Sequence, residues 1–165
     1  MAFQFRIFLF GLLFWCSAQG VVAQVDTTQV VLTDADWSKY AQIEVMTSKF
    51  MAEKTQELKD WISIKEGLGG GARYNQIKGA WGNAKKELAI AITDKERAAY
   101  QEALAFQKSM QQKVIDFQAD LIRDEKLLGL KLFEEISKAI QDNPSLKEKL
   151  VQEVAQLKKL KKKKD

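Results

Sequence analysis

Leu32-Thr33-Asp34 returns sixty residues later as Ile92-Thr93-Asp94, and most of the fold reading follows from that return. At the same offset Tyr40 meets Tyr100, Ile43 meets Ala103, Phe50 meets Met110, and Ile62 meets Ile122. Leu68 meets Leu128 and Gly69 meets Gly129. Past the glycines the offset is shorter by one. Tyr74 then meets Phe133, Ile77 meets Ile136, Ala80 meets Ala139 and Trp81 meets Ile140. One extra residue in Gly69-Gly70-Gly71 accounts for the shift. Few identities repeat; what repeats is the placing of apolar side chains. A period of this length marks a unit that buries its apolar face by packing on its neighbour. The reading is a tandem duplication, with copies over about 32–91 and 92–157.

Both copies open on a helix-start signal. Thr33 is followed three residues on by Asp36, and Thr93 by Glu96. The Thr hydroxyl accepts a backbone N–H of the first turn, while the acid reaches back to the cap. From Thr93 the apolar stripe Ala103, Met110, Val114, Phe117, Leu121 and Leu128 keeps helical spacing and predicts a helix over 94–127. The matching helix runs over 34–66, with Tyr40, Ile43, Phe50, Leu58, Trp61 and Ile62 inward. Lys54 and Glu57 interrupt it where the second copy has Val114 and Phe117. A shorter helix completes each copy. The first carries Tyr74, Ile77, Trp81 and Leu88 across Gly79 and Gly82; the second carries Phe133, Ile136 and Ile140. Asn143-Pro144 ends the latter and starts a last helix, because proline suits a first turn and asparagine a cap. Its apolar line is Leu146, Leu150, Val154, Leu157 and Leu160. The expected fold is all-α: two tandem helical-hairpin repeats forming a four- or five-helix bundle. Thr27–Leu32 is the one β-like stretch, read as an extended lead-in.

The start of the chain reads as a secretory signal peptide over 1–23. Arg6 is the only charge before Asp26, Ile7–Trp15 is a run of large apolar residues and glycine, and Val21 and Ala23 supply a cleavage site. An uncleaved anchor is the alternative, but that run falls well short of the roughly 20 residues a span requires. Lipidation at Cys16 is another, opposed by the bulk of Trp15 before the thiol. Cleavage after Ala23 removes the single cysteine, and with it disulfides, thiol chemistry and thiolate metal sites. The 142 residues left after residue 23 suffice for an adequate core without crosslinks.

The repeated pattern is an acid-capped long helix, a glycine, then an aromatic with Ile three and Ala six residues on. It reads Gly71-Ala72-Arg73-Tyr74-Asn75-Gln76-Ile77-Lys78-Gly79-Ala80 in one copy. In the other it reads Gly129-Leu130-Lys131-Leu132-Phe133-Glu134-Glu135-Ile136-Ser137-Lys138-Ala139, followed by Asn143-Pro144-Ser145-Leu146. This resembles the all-helical families of bacterial exported proteins catalogued as domains of unknown function. The resemblance covers about residues 30–157 and rests on packing and capping positions. It implies an exported helical protein and transfers no activity or catalytic residue.

Chemistry is sparse. The chain has no histidine, the commonest general base and metal ligand, so serine and cysteine triads cannot be assembled. Gly69-Gly70-Gly71 lacks the Lys-Ser/Thr of a phosphate loop and reads as a flexible hairpin connection. Asp116, Asp120 and Asp124 share one helix face and, with Glu125, form a candidate for a hard cation. The competing reading is a solvated face neutralised by Lys113 and Arg123, and no metal or other cofactor is expected. Trp61 and Trp81 align with Leu121 and Ile140 and read as core. Trp37 aligns with Arg97, a surface position, so Trp37 with Tyr40 is a candidate exposed aromatic patch for a sugar, a peptide or a partner helix. Its alternative is packing of Trp37 on Val30–Leu32.

The strongest polar feature is the lysine-rich tail, 158–165, with Lys158, Lys159, Lys161, Lys162, Lys163 and Lys164. Without it and the leader, residues 24–157 hold 19 basic and 21 acidic side chains, so the body is close to neutral. Such a cluster draws phosphates. In an exported protein these are lipid headgroups, lipopolysaccharide or wall polymers, and the lack of interleaved aromatics argues against nucleic acid. A frayed, solubilising terminus is the competing reading. The expected function is therefore a non-enzymatic, periplasmic or secreted binding or scaffold protein of the bacterial envelope. It would meet an envelope protein or an anionic surface, with a homo-oligomer open. A holdase-like periplasmic chaperone is the first alternative, on fold-level analogy. A carboxylate-based hydrolase of wall sugars is the second; it needs a pair of acids facing one cleft.

Overall fold

The computed structural model describes residues 32–162, with the side chains of 161 and 162 excepted. The expected signal peptide, nearly all of the expected lead-in, and Lys163 and Lys164 lie outside the described residues. The described chain is all-α, without a strand. Its elements are α1 (Asp34–Ile64), α2 (Gly70–Ala80), α3 (Ala84–Ala89), α4 (Asp94–Arg123), α5 (Leu130–Asp142) and α6 (Pro144–Lys162).

Both long helices start on complete capping boxes. Thr33 Oγ1 accepts from the Asp36 amide at 3.3 Å while Asp36 Oδ2 accepts from the Thr33 amide at 2.9 Å. Thr93 Oγ1 accepts from the Glu96 amide at 3.2 Å, and Glu96 Oε2 accepts from the Thr93 amide at 2.8 Å. Two donors that the first turn leaves unpaired are satisfied each time. α1 and α4 then pack antiparallel. Phe50 stacks on Phe117 with centroids 4.3 Å apart, Trp61 on Phe106 at 5.0 Å, and Lys65 pairs with Glu102 at the end.

Two apolar clusters sit at opposite ends of this helix pair. One gathers Trp37, Tyr40, Ala41 and Ile43 of α1 with Leu121 and Leu128, Ile136 and Ile140 of α5, and Leu150 of α6. The other gathers Ile62, Leu68, Tyr74 and Ile77 with Ala99, Tyr100 and Ala103. Some residues matched by the sequence offset share their burial, and others, such as Trp37 and Arg97, do not. Ile43 and Ala103 are fully buried, as are Ile77 and Ile136. Tyr40 stacks on Phe133 at 5.0 Å, and its counterpart Tyr100 lies against Tyr74, the counterpart of Phe133, at 5.5 Å.

Several boundaries differ from those expected. α1 stops at Ile64, two residues early, before a turn through Gly67 at φ +90°. α4 stops at Arg123 rather than 127. There the Asp124 carbonyl accepts from the Leu127, Leu128 and Gly129 amides, and its Oδ1 from the Lys126 amide at 2.9 Å. This local network competes with helix continuation. Gly70 and Gly71 belong to α2 rather than to a loop. The expected helix through Leu88 is two helices, α2 and α3. Gly82 takes φ +77°, where only glycine sits at ease, and Asn83 caps α3 by accepting from the Lys86 amide at 3.1 Å. Leu88 therefore leaves the apolar stripe and is 82% exposed. The described helices number six, not four or five.

Candidate functional site

α6 begins where Asn143 Oδ1 accepts from the Ser145 amide at 3.1 Å and from Ser145 Oγ at 2.7 Å. Pro144 follows without an amide to satisfy. Leu150 is buried, and Leu146, Val154 and Leu157 pack against the first cluster, so the leucine line faces inward up to Leu157. α6 lies parallel to α1. Lys149 Nζ pairs with Asp34 Oδ1 at 2.8 Å and sits 5.7 Å from the Trp37 ring centre, while Lys158, nine residues on, acts on Glu44, ten residues beyond Asp34. Leu160 makes no core contact and is 59% exposed.

The tail lysines thus sit on the final turns of a helix anchored along its inner face. Lys158 and Lys159 are exposed, and among the described residues neither makes an ion pair. Lys161 and Lys162 continue the helix. Four lysines at a helix C-terminus also meet the negative end of its dipole, which favours them there. The half-buried Glu44 carboxyl of α1 is pushed up by burial and pulled back by Lys158 of α6. Glu44 escaped the sequence reading because Lys158, which acts on it, is more than a hundred residues away in the chain.

The aromatic candidates are corrected. Trp37 is 4% exposed and Tyr40 5%, both inside the first cluster, so they form no exposed patch. Alignment with Arg97 misled because Trp37 packs into the cluster that α5 and α6 close over α1, while Arg97 pairs with Glu87 of α3 at 2.8 Å and stays half-exposed. Tyr40 is further held by the Phe133 stack and a 3.5 Å contact between its hydroxyl and Ser137 Oγ. Burial pushes the Tyr40 hydroxyl up from its ordinary value.

The three aspartates do not converge on one point. Asp116 accepts from Gln112 at 2.8 Å, Asp120 lies 3.8 Å from Arg123, and Asp124 serves the turn after α4. Among the described residues no group of three or more Asp, Glu, His or Cys side chains is placed to hold a metal ion. An open cleft of about 460 Å³ lies where α4 turns into α5; its charges are Arg123 and Lys131 against Glu125 and Glu135. Those charges balance, so the cleft favours neither an anion nor a cation. No described helix is long and apolar enough to cross a membrane.

The described chain belongs to the all-α class and carries one cationic helix end as its candidate contact. Comparison with family models, curated proteins and solved structures gives no match to this chain.

Proposed function

We propose that this protein is a non-enzymatic, exported binding or scaffold module of the bacterial envelope, whose contact is the lysine-rich end of α6 meeting a polyanionic component. We further propose that the body is a tandem duplication. The observation that carries the contact is the pose of Lys158 and Lys159: exposed, without an ion pair among the described residues, on a helix whose other side is bound to the body. A neutral body with concentrated charge at one place binds polyanions through that place, and weakly at high salt.

Two measurements test this. N-terminal sequencing of the protein from the exported fraction should begin at Gln24; a chain still starting at Met1 removes the envelope setting. Deletion of 158–165 should lower retention on heparin and on lipopolysaccharide, with a smaller salt dependence and an unchanged melting temperature. Equal retention of the truncated and intact chains would falsify the contact.

A further inference from the structure

The α1–α4 pair has one side that no described helix covers. Phe50, Glu53, Glu57 and Ile64 follow one another on α1 at steps of three, four and seven, the spacing of one helix face. Phe106, Lys113, Phe117 and Asp120 do the same on α4 at steps of seven, four and three. α5 and α2 pack on Tyr40 and Tyr100, about a third of a turn from these rows. α6 packs on the Trp37 side of α1, about half a turn away. The Glu57 carboxyl is held down by Lys54 first and also by Lys113 of α4, so the two rows share one side of the pair. Glu53, Lys113 and Asp120 are exposed, Ile64 is 82% exposed, and Phe50, Phe106 and Phe117 are half-buried.

Eleven residues separate Phe50 from Trp61 on α1, and eleven separate Phe106 from Phe117 on α4. Phe50 stacks on Phe117 and Trp61 on Phe106, so the antiparallel helices run level with each other. Lys113 therefore stands level with the gap between Glu53 and Glu57. Lys49, at the edge of the open side, stands level with the gap between Asp116 and Asp120. We infer that a second copy of this chain seats here, related by a twofold axis along the helices, so that α1 of each copy lies on α4 of the other. Such an axis keeps the register. Lys113 of the second copy falls between Glu53 and Glu57, and its Asp116 and Asp120 fall on either side of Lys49. A contact of this symmetry makes each pairing twice. Lys49, Glu53 and Lys113 are exposed and, among the described residues, make no ion pair within one copy. Asp60 and Glu102, acids on the same side, are engaged at home by Gln56 at 2.8 Å and by Lys65. Ile64 comes beside Phe106 of the second copy, and Phe50 faces its Phe117, so an apolar centre lies within a charged rim. Charge changes sign along each row, which suits a copy of itself better than a uniformly acidic or basic partner.

The test is sedimentation equilibrium of the purified chain as wild type, K113E, E53K/K113E and a chain lacking residues 158–165. Wild type should dimerise reversibly. K113E should weaken dimerisation about tenfold, because both symmetry-related contacts then set acid against acid. E53K/K113E should recover most of that loss by restoring opposite charges. Both side chains are exposed, so circular dichroism of the variants should match wild type. Deletion of 158–165 should leave the dimer unchanged, which separates this face from the contact proposed at the end of α6. A wild-type chain that stays monomeric at millimolar concentration overturns the inference. So does a dimer that K113E leaves as tight as wild type, a double variant no tighter than K113E, or a dimer lost with the tail.

Discussion

Thr47 is 2% exposed, and its Oγ1 finds no hydrogen-bond partner, although a helical threonine can usually turn to the carbonyl four residues back. Thr55 does so, donating to the Met51 carbonyl at 2.7 Å. A buried hydroxyl left unpaired loses its hydration without compensation. Thr47→Val should therefore raise stability by about 1 kcal/mol, read from the denaturant midpoint. Glu96 is the opposite case. Arg73 Nε donates to its Oε1 at 2.6 Å and Arg73 Nη2 to its Oε2 at 3.0 Å, while the Thr93 amide adds a third bond. These hold its carboxyl down at about 2. A carboxyl depressed in the folded chain stabilises the fold above its unfolded value, and that contribution fades as pH falls through its folded value. The melting temperature should thus drop between about pH 4.5 and 2, and Glu96→Gln should flatten the curve across that window. An equally steep curve in the variant would contradict this role.

The starts of α1, α4 and α6 were legible, and the stops of the helices less so. Thr33, Thr93 and Asn143 mark starts because a cap acts on the next three amides, an interaction local in sequence. Thr93→Ala should cost about 1 kcal/mol, since Glu96 alone cannot close the box. Stops depend on what the following turn does. Gly67 shows this: it takes φ +90°, and a Cβ there would lie 3.1 Å from Ala99 Cβ and 3.3 Å from the Lys95 carbonyl oxygen. The turn after α1 is pressed against α4, so Gly67→Ala meets both backbone strain and crowding. We expect a loss of about 2–3 kcal/mol, measured by urea unfolding. Gly82→Ala, with open space around it, should lose only the strain.

The two apolar clusters are joined through the waist of the α1–α4 pair, where Phe50 stacks on Phe117 and Lys54 lies 5.2 Å from the Phe50 ring centre. Lys54 is in turn fixed by Glu57 at 2.6 Å, so the polar interruption of the α1 stripe covers an aromatic contact rather than breaking it. If that stack transmits packing between the ends, Phe50→Ala and Phe117→Ala should each destabilise. Their double-mutant coupling should be about 1 kcal/mol. A coupling near zero would mean that the ends hold independently. Large-to-small changes at Ile77 and Ile136, each fully buried, should cost about 2–5 kcal/mol and loosen different ends in hydrogen exchange.

Helical class, the two capped starts and the inward residues Ile43, Ile77, Ala103 and Ile136 were readable from spacing, because amphipathic periodicity and caps act within a few residues. The pairing of Tyr40 with Phe133 and of Tyr74 with Tyr100, and the burial of Trp37, were not. Each depends on which helix lies beside which. α6 lies along α1 and α5 packs beside it, and Trp37 is buried in their cluster while Arg97, at the matching position, is half-exposed. Contacts between residues a hundred positions apart follow from the packing of whole faces, and a linear pattern names the faces without naming their neighbours.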